Sequence, residues 1–169
     1  MPLLRGRRDD GGTKYQMREK LFAIGDDSWI ETDGGERVFK VNGKAMRVRQ
    51  TFVLENRSGD ELLRIQERKL TVRDKMEIER DGHTAATVKK ALIGIRDRFS
   101  IEVAGGDELH AKGNFVDHEF EIERDGDKVA EISKRWLRIR DAYGIEIAPG
   151  EDDALILAMT VCIDQMGRG

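Results

Sequence analysis

The stretch Glu151-Asp-Asp-Ala-Leu-Ile-Leu-Ala-Met-Thr-Val-Cys-Ile-Asp-Gln-Met166 decides the fold. From Ala154 to Ile163 every residue except Thr160 is apolar. A helix of that composition is hydrophobic on all sides and must be surrounded, by lipid or by protein. A membrane span needs about 20 apolar residues, roughly twice this run. The stretch therefore predicts a helix threaded through the middle of a domain. Leu155, Ile156, Leu157, Met159, Val161, Cys162 and Ile163 are its candidate core. Pro149-Gly150 break the preceding element, and Glu151, Asp152 and Asp153 set carboxylates at the positive end of the helix dipole. Thr160 is tolerable there, because its hydroxyl can bond the carbonyl one turn back.

Everything upstream reads as strand. Apolar and polar residues alternate in short runs: Tyr15–Ile24, Ser28–Thr32, Glu36–Val41, Val48–Asn56, Glu61–Lys69, Lys75–Arg80, Thr84–Ala91, Arg98–Val103, Glu108–Asn114, Asp117–Arg124, Lys128–Arg135 and Tyr143–Ala148. Between them stand turn signals such as Asp33-Gly-Gly35, Asn42-Gly43, Asp81-Gly82 and Asp125-Gly126, which accept positive φ at little cost. In Phe120-Glu-Ile-Glu-Arg124 the apolar residues point one way and the glutamates the other; Leu137-Arg-Ile-Arg140 alternates with arginines instead.

An internal repeat sharpens the picture. Met76-Glu-Ile-Glu-Arg-Asp-Gly82 recurs as Phe120-Glu-Ile-Glu-Arg-Asp-Gly126. The match runs ungapped to Ile101-Glu-Val-Ala-Gly-Gly106 against Ile145-Glu-Ile-Ala-Pro-Gly150, with about half the positions identical. A fainter copy runs from Ile30 to Glu55. Each copy is a multi-strand unit unable to bury its own apolar face, so the copies must pack together. A pseudo-repetitive barrel plugged by its own C-terminal helix accounts for both features.

Composition bounds the function. At 169 residues, 14–166 is read as one domain between a mobile tail, 1–13, and a short end, 167–169. Thirty Lys and Arg against 33 Asp and Glu give a net charge of −3, which argues against a nucleic-acid binder. The single cysteine, the lack of a signal-like apolar start and the lack of a membrane-length run predict a cytoplasmic protein, at most peripheral to a membrane.

The segments Tyr15-Gln-Met-Arg-Glu-Lys20, Phe39-Lys-Val-Asn-Gly43, Ile65-Gln-Glu-Arg-Lys69, Glu121-Ile-Glu-Arg-Asp-Gly126 and Asp153-Ala-Leu-Ile-Leu-Ala158 resemble the LURP-one-related family over about Lys14 to Met166. That family shares the fold of the tubby C-terminal domain and is related to phospholipid scramblases. The resemblance implies a closed barrel of twelve strands around a central hydrophobic helix, and a lean towards lipid. It implies little about activity, and no phosphoinositide or calcium motif carries over residue by residue.

Site candidates are few. Cys162 lies inside the apolar run, where a thiol behaves as a small hydrophobe. His83, His110 and His118 have no zinc spacing, and Asp26-Asp27 with Glu31 and Asp33 suits turns better than a calcium loop. No phosphate loop, dinucleotide fingerprint or nucleophile elbow is present, so a non-enzymatic protein without cofactor is expected. Two basic stretches remain, Lys89-Lys90 in one copy and Lys134-Arg135 with Arg138 in the other, the latter beside Trp136. They are candidate contacts for anionic headgroups. The competing explanation is cross-strand ion pairing with Glu-Ile-Glu strands, which keeps a sheet soluble and leaves a protein-interaction or scaffold role.

Overall fold

The computed structural model describes residues 12–18, 27–45, 50–68, 75–93, 96–135 and 142–167. The twelve strands are β1 (Thr13–Arg18), β2 (Asp27–Thr32), β3 (Arg37–Ala45), β4 (Gln50–Asn56), β5 (Glu61–Arg68) and β6 (Lys75–Arg80), followed by β7 (His83–Ile93), β8 (Arg96–Val103), β9 (Glu108–Asn114), β10 (Glu119–Arg124), β11 (Asp127–Ser133) and β12 (Ala142–Ile147). Each pairs antiparallel with its chain neighbours, and β1 pairs with β12 from Thr13↔Ile147 to Arg18↔Ala142, closing the barrel. One helix, α1 (Asp153–Gly167), follows β12.

The connections 33–36, 57–60, 81–82, 104–107 and 125–126 gather at the end where α1 begins, here the entry end. The turn 115–118 lies at the other, exit end, where α1 finishes: a side chain on Gly167 would touch Phe115. From Leu155 to Asp164 every residue of α1 is buried, and Leu157, Val161, Cys162 and Ile163 have no exposed surface. The expected core helix is thus present, and Thr160 donates to the Ile156 carbonyl at 3.0 Å.

The even-numbered strands share a device. Two residues before its last, each reads apolar then Glu: Ile30-Glu31, Leu54-Glu55, Ile78-Glu79, Ile101-Glu102, Ile122-Glu123 and Ile145-Glu146. The six apolar side chains belong to the buried core, while the glutamates face out. Outside, Glu31 lies 3.9 Å from Arg37, Glu55 3.5 Å from Lys40, Glu79 3.6 Å from Arg68 and Glu123 3.0 Å from Lys112; Glu102 pairs with Lys89. Glu146 stands opposite Lys14 in register. Most of these pairs are half-buried, and ion pairs at a surface contribute about 0–1 kcal/mol each, so the collar adds little to the stability of the wall.

The repeat is structural as well as sequential. β6 and β10 have matching bounds, and the register shifts after Ile78 in one and after Ile122 in the other. The same shift follows Ile30 and Leu54. Such bulges add local twist, which a closing sheet needs. Asp81-Gly82 (φ 53 and 80) and Asp125-Gly126 (φ 51 and 86) form equivalent hairpin turns with both central residues left-handed.

Some sequence expectations are corrected. Asn42-Gly43 is no turn: Asn42 pairs with Val53 and Gly43 with Phe52 inside β3, and the pairing continues to Ala45↔Gln50. The strand expected from Asp117 starts at Glu119, because His118 is left-handed at φ 55. Residues 1–11 of the expected tail 1–13, residues 19–24 of the first expected strand and the Leu137–Arg140 alternation lie outside the described residues.

Replacing Leu157 tests the enclosure. Leu157→Ala should lower stability by about 2–5 kcal/mol in urea denaturation, and Leu157→Asp should abolish the cooperative transition, since a buried lone carboxylate has no partner there. A Leu157→Asp protein melting like wild type would contradict a buried helix.

Candidate functional site

Strand alternation separates the two lysines of β7. Ala86 and Val88 point inward, so Lys90 does too and Lys89 points out. Lys89 pairs with Glu102 of β8, whose carboxyl it holds below the ordinary range. Lys90 Nζ donates to the Met166 carbonyl at 3.2 Å, placing its charge at the negative end of α1. Lys134 and Arg135 follow the last residue of β11. Glu119 Oε1 accepts from Ser133 Oγ and from the Lys134 backbone N–H, both at 3.0 Å. The exposed Arg135 guanidinium lies 3.7 Å from both Glu119 and Glu131. Arg138 and Trp136 lie outside the described residues. The four described residues do not form one cluster: β8, β9 and β10 separate their strands, and Lys90 belongs to the helix cap.

Between those strands lies an open groove of about 720 Å³, lined by Arg98, Lys112, Phe115, Val116, Glu119 and Arg135 among others. Its wall is the β9–β10 turn. Phe115 is buried edge-on against Phe99, ring centroids 4.7 Å apart, and 5.0 Å from Phe120. His118, also buried, donates from Nε2 to Asp164 Oδ1 at 2.6 Å and stacks on Tyr143 at 4.1 Å. Asp164 is a carboxylate inside an otherwise apolar helix, so this bond answers a charge that would otherwise lie buried. His118 Nδ1 is buried with no hydrogen-bond partner among the described residues. The sequence reading missed the His118–Asp164 pair. Its one signal was an acidic residue in a run with no exposed face.

At the entry end the repeat-related Arg80 and Arg124 hold the start of α1. Arg80 meets Asp152 at 2.9 Å, and Arg124 grips Glu151 at 2.8 and 3.1 Å, which raises the guanidinium pKa further. Asp152 caps the Leu155 N–H, and Tyr15 donates to Asp153 at 2.5 Å. Burial, then that carboxylate, push the Tyr15 hydroxyl well above its ordinary pKa. Burial likewise raises Cys162, leaving an inert thiol. His83 and His110 are exposed, and no group of three or more His, Cys, Asp or Glu among the described residues is placed to hold a metal ion.

The two ends differ in charge. The entry end, over its connections and the strand residues that flank them, carries Asp33, Glu36, Asp60, Glu61, Asp81, Asp107, Glu108, Asp125, Asp127, Glu151 and Asp152 against Arg37, Arg57, Arg80 and Arg124. The described exit rim carries Arg18, Arg68, Lys75, Arg98, Lys134 and Arg135 against Glu67, Asp117 and Glu119.

A closed twelve-strand antiparallel barrel around a C-terminal helix defines the architectural class. The chain belongs to the LURP-one-related family, whose profile it matches over residues 13–164. The X-ray structure of a protein from Arabidopsis thaliana is similar at a TM-score of 0.69 with 17% identity, covering 93% of this chain and 92% of that one; the likeness shows the fold. No curated protein matches the sequence. No helix among the described residues is long and apolar enough to cross a membrane.

Asp164→Ala should cost about 1–3 kcal/mol, because it leaves the buried His118 N–H without its acceptor. Urea denaturation checks this, and a loss below about 0.5 kcal/mol would contradict the pairing.

Proposed function

We propose that this LURP-one-related domain is a non-enzymatic binding module that engages the anionic headgroups of a membrane surface with the exit end of its barrel. The observation that carries the reading is the charge polarity of the two ends. A net charge of −3 would repel an anionic surface on average, but the basic rim can face that surface while the acidic entry end faces away. Lys134 and Arg135 stand on this rim, and the sequence after them, Trp136 to Arg140, interleaves apolar residues with arginines. Lys89 contributes from β7. Lys90 drops out of the proposed site, since its ammonium serves the helix end.

A soluble protein-interaction domain without a lipid ligand is the second reading. It draws on the net acidic charge and on the carboxylates already beside Lys89 and Arg135.

Co-sedimentation separates the two. The protein should pellet with vesicles containing anionic lipid at low salt, remain in solution with purely zwitterionic vesicles, and be released by salt. The double change Lys134→Glu, Arg135→Glu should reduce pelleting several-fold, since each basic residue near an anionic surface contributes about 1 kcal/mol. A wild-type protein that stays soluble beside anionic vesicles at low salt would leave the protein-interaction reading in place.

A further inference from the structure

The β9–β10 turn is built with more constraint than a connection requires. Gly113 sits at φ 136, and a Cβ there would fall 2.6 Å from the Glu119 carbonyl oxygen and 2.7 Å from Phe120 Cα, so only glycine fits. His118 holds a left-handed conformation at φ 55, uncommon for a residue with a side chain. Asn114 closes the loop: its side-chain oxygen accepts from the Asp117 N–H at 3.1 Å, and its amide donates to the Asp117 carboxylate at 2.8 Å. Phe115 and His118 pin the two flanks to the core and to Asp164. What this frame presents is Val116, 74% exposed and the one large hydrophobic exposed among the described residues. Val116 adds nothing to the core, and the frame that holds His118 against Asp164 keeps it turned outward.

We propose that Val116 is an insertion tip. Resting on the membrane-surface reading, the turn enters the boundary between headgroups and acyl chains of an anionic bilayer, while Arg98 and Arg135 beside it meet lipid phosphates. Arg98 is exposed and has no ion pair among the described residues. Arg135 lies beyond hydrogen-bond distance of its carboxylates, so it can exchange them for phosphate. Glu119, Glu121 and Glu131 also line the groove and repel phosphate from its floor, which confines lipid contact to the tip and rim. A preformed turn adds little ordering cost on binding.

Site-specific labelling of the full chain tests this. Cys162 is buried, so Val116→Cys offers one accessible thiol for an environment-sensitive fluorophore, and Ser58→Cys offers another at the entry end. With vesicles of phosphatidylcholine and phosphatidylserine the label at 116 should brighten several-fold while that at 58 does not change. Val116→Asp should weaken vesicle binding by about tenfold, and Val116→Leu should preserve it. Both substitutions leave the core untouched, and unchanged melts verify that. Co-sedimentation with a dark label at 116 and wild-type binding by Val116→Asp would overturn the insertion tip but keep the membrane reading. No co-sedimentation of the wild type would overturn both.

Discussion

Burial of a helix that is apolar on every side governs this molecule. An ordinary amphipathic helix needs one partner face, but α1 from Leu155 to Asp164 must be enclosed completely. A sheet closed on itself supplies that enclosure and leaves no unpaired edge strand. The rest follows from fitting a wall to a cylinder. Six apolar residues from Ile30 round to Ile145 form part of the inner lining, six glutamates after them face water, and bulges beside four of them curve the sheet.

Enclosure creates a second problem at the helix ends, where backbone groups are left without partners. The entry end answers with Asp152 as cap, with Arg80 on that same carboxylate and Arg124 on Glu151; the exit end answers with Lys90 at the Met166 carbonyl. Acid at the helix start and base at its finish both suit the macrodipole. Glu151, Asp152 and Lys90 thus have a structural role at the helix ends. Membrane binding would draw on the rim charges beyond them together with the exposed, rigidly held Val116.

The helix was legible in the sequence because ten nearly unbroken apolar residues permit no other placement, and the strands because their alternation is regular. The 44-residue repeat was visible through identity. The finer hairpin pattern hid behind drifting spacings and the change from Ile to Leu at Leu54. Asn42-Gly43 misled because turn chemistry is local, whereas pairing with Val53 and Phe52 is not. Lys89 and Lys90 are neighbours in sequence, but adjacent strand residues face opposite ways and Lys90 falls in phase with Val88, which the residue pair alone does not reveal. The His118–Asp164 bond joins residues 46 apart through the folded core, beyond any periodicity. Val116 became informative only once its exposure and the rigidity of its turn were known.

Native-state hydrogen exchange on α1 tests the central claim most directly. If the barrel encloses the helix, the amides of Leu157, Val161 and Cys162 can exchange only when the whole domain opens. Their protection should then equal the global unfolding free energy and fall with denaturant as steeply as that of Ile78 and Ile122 in the wall. Helix amides that exchange far faster than these strand amides, with little denaturant dependence, would mean that α1 leaves the barrel on its own, contrary to an obligatory core.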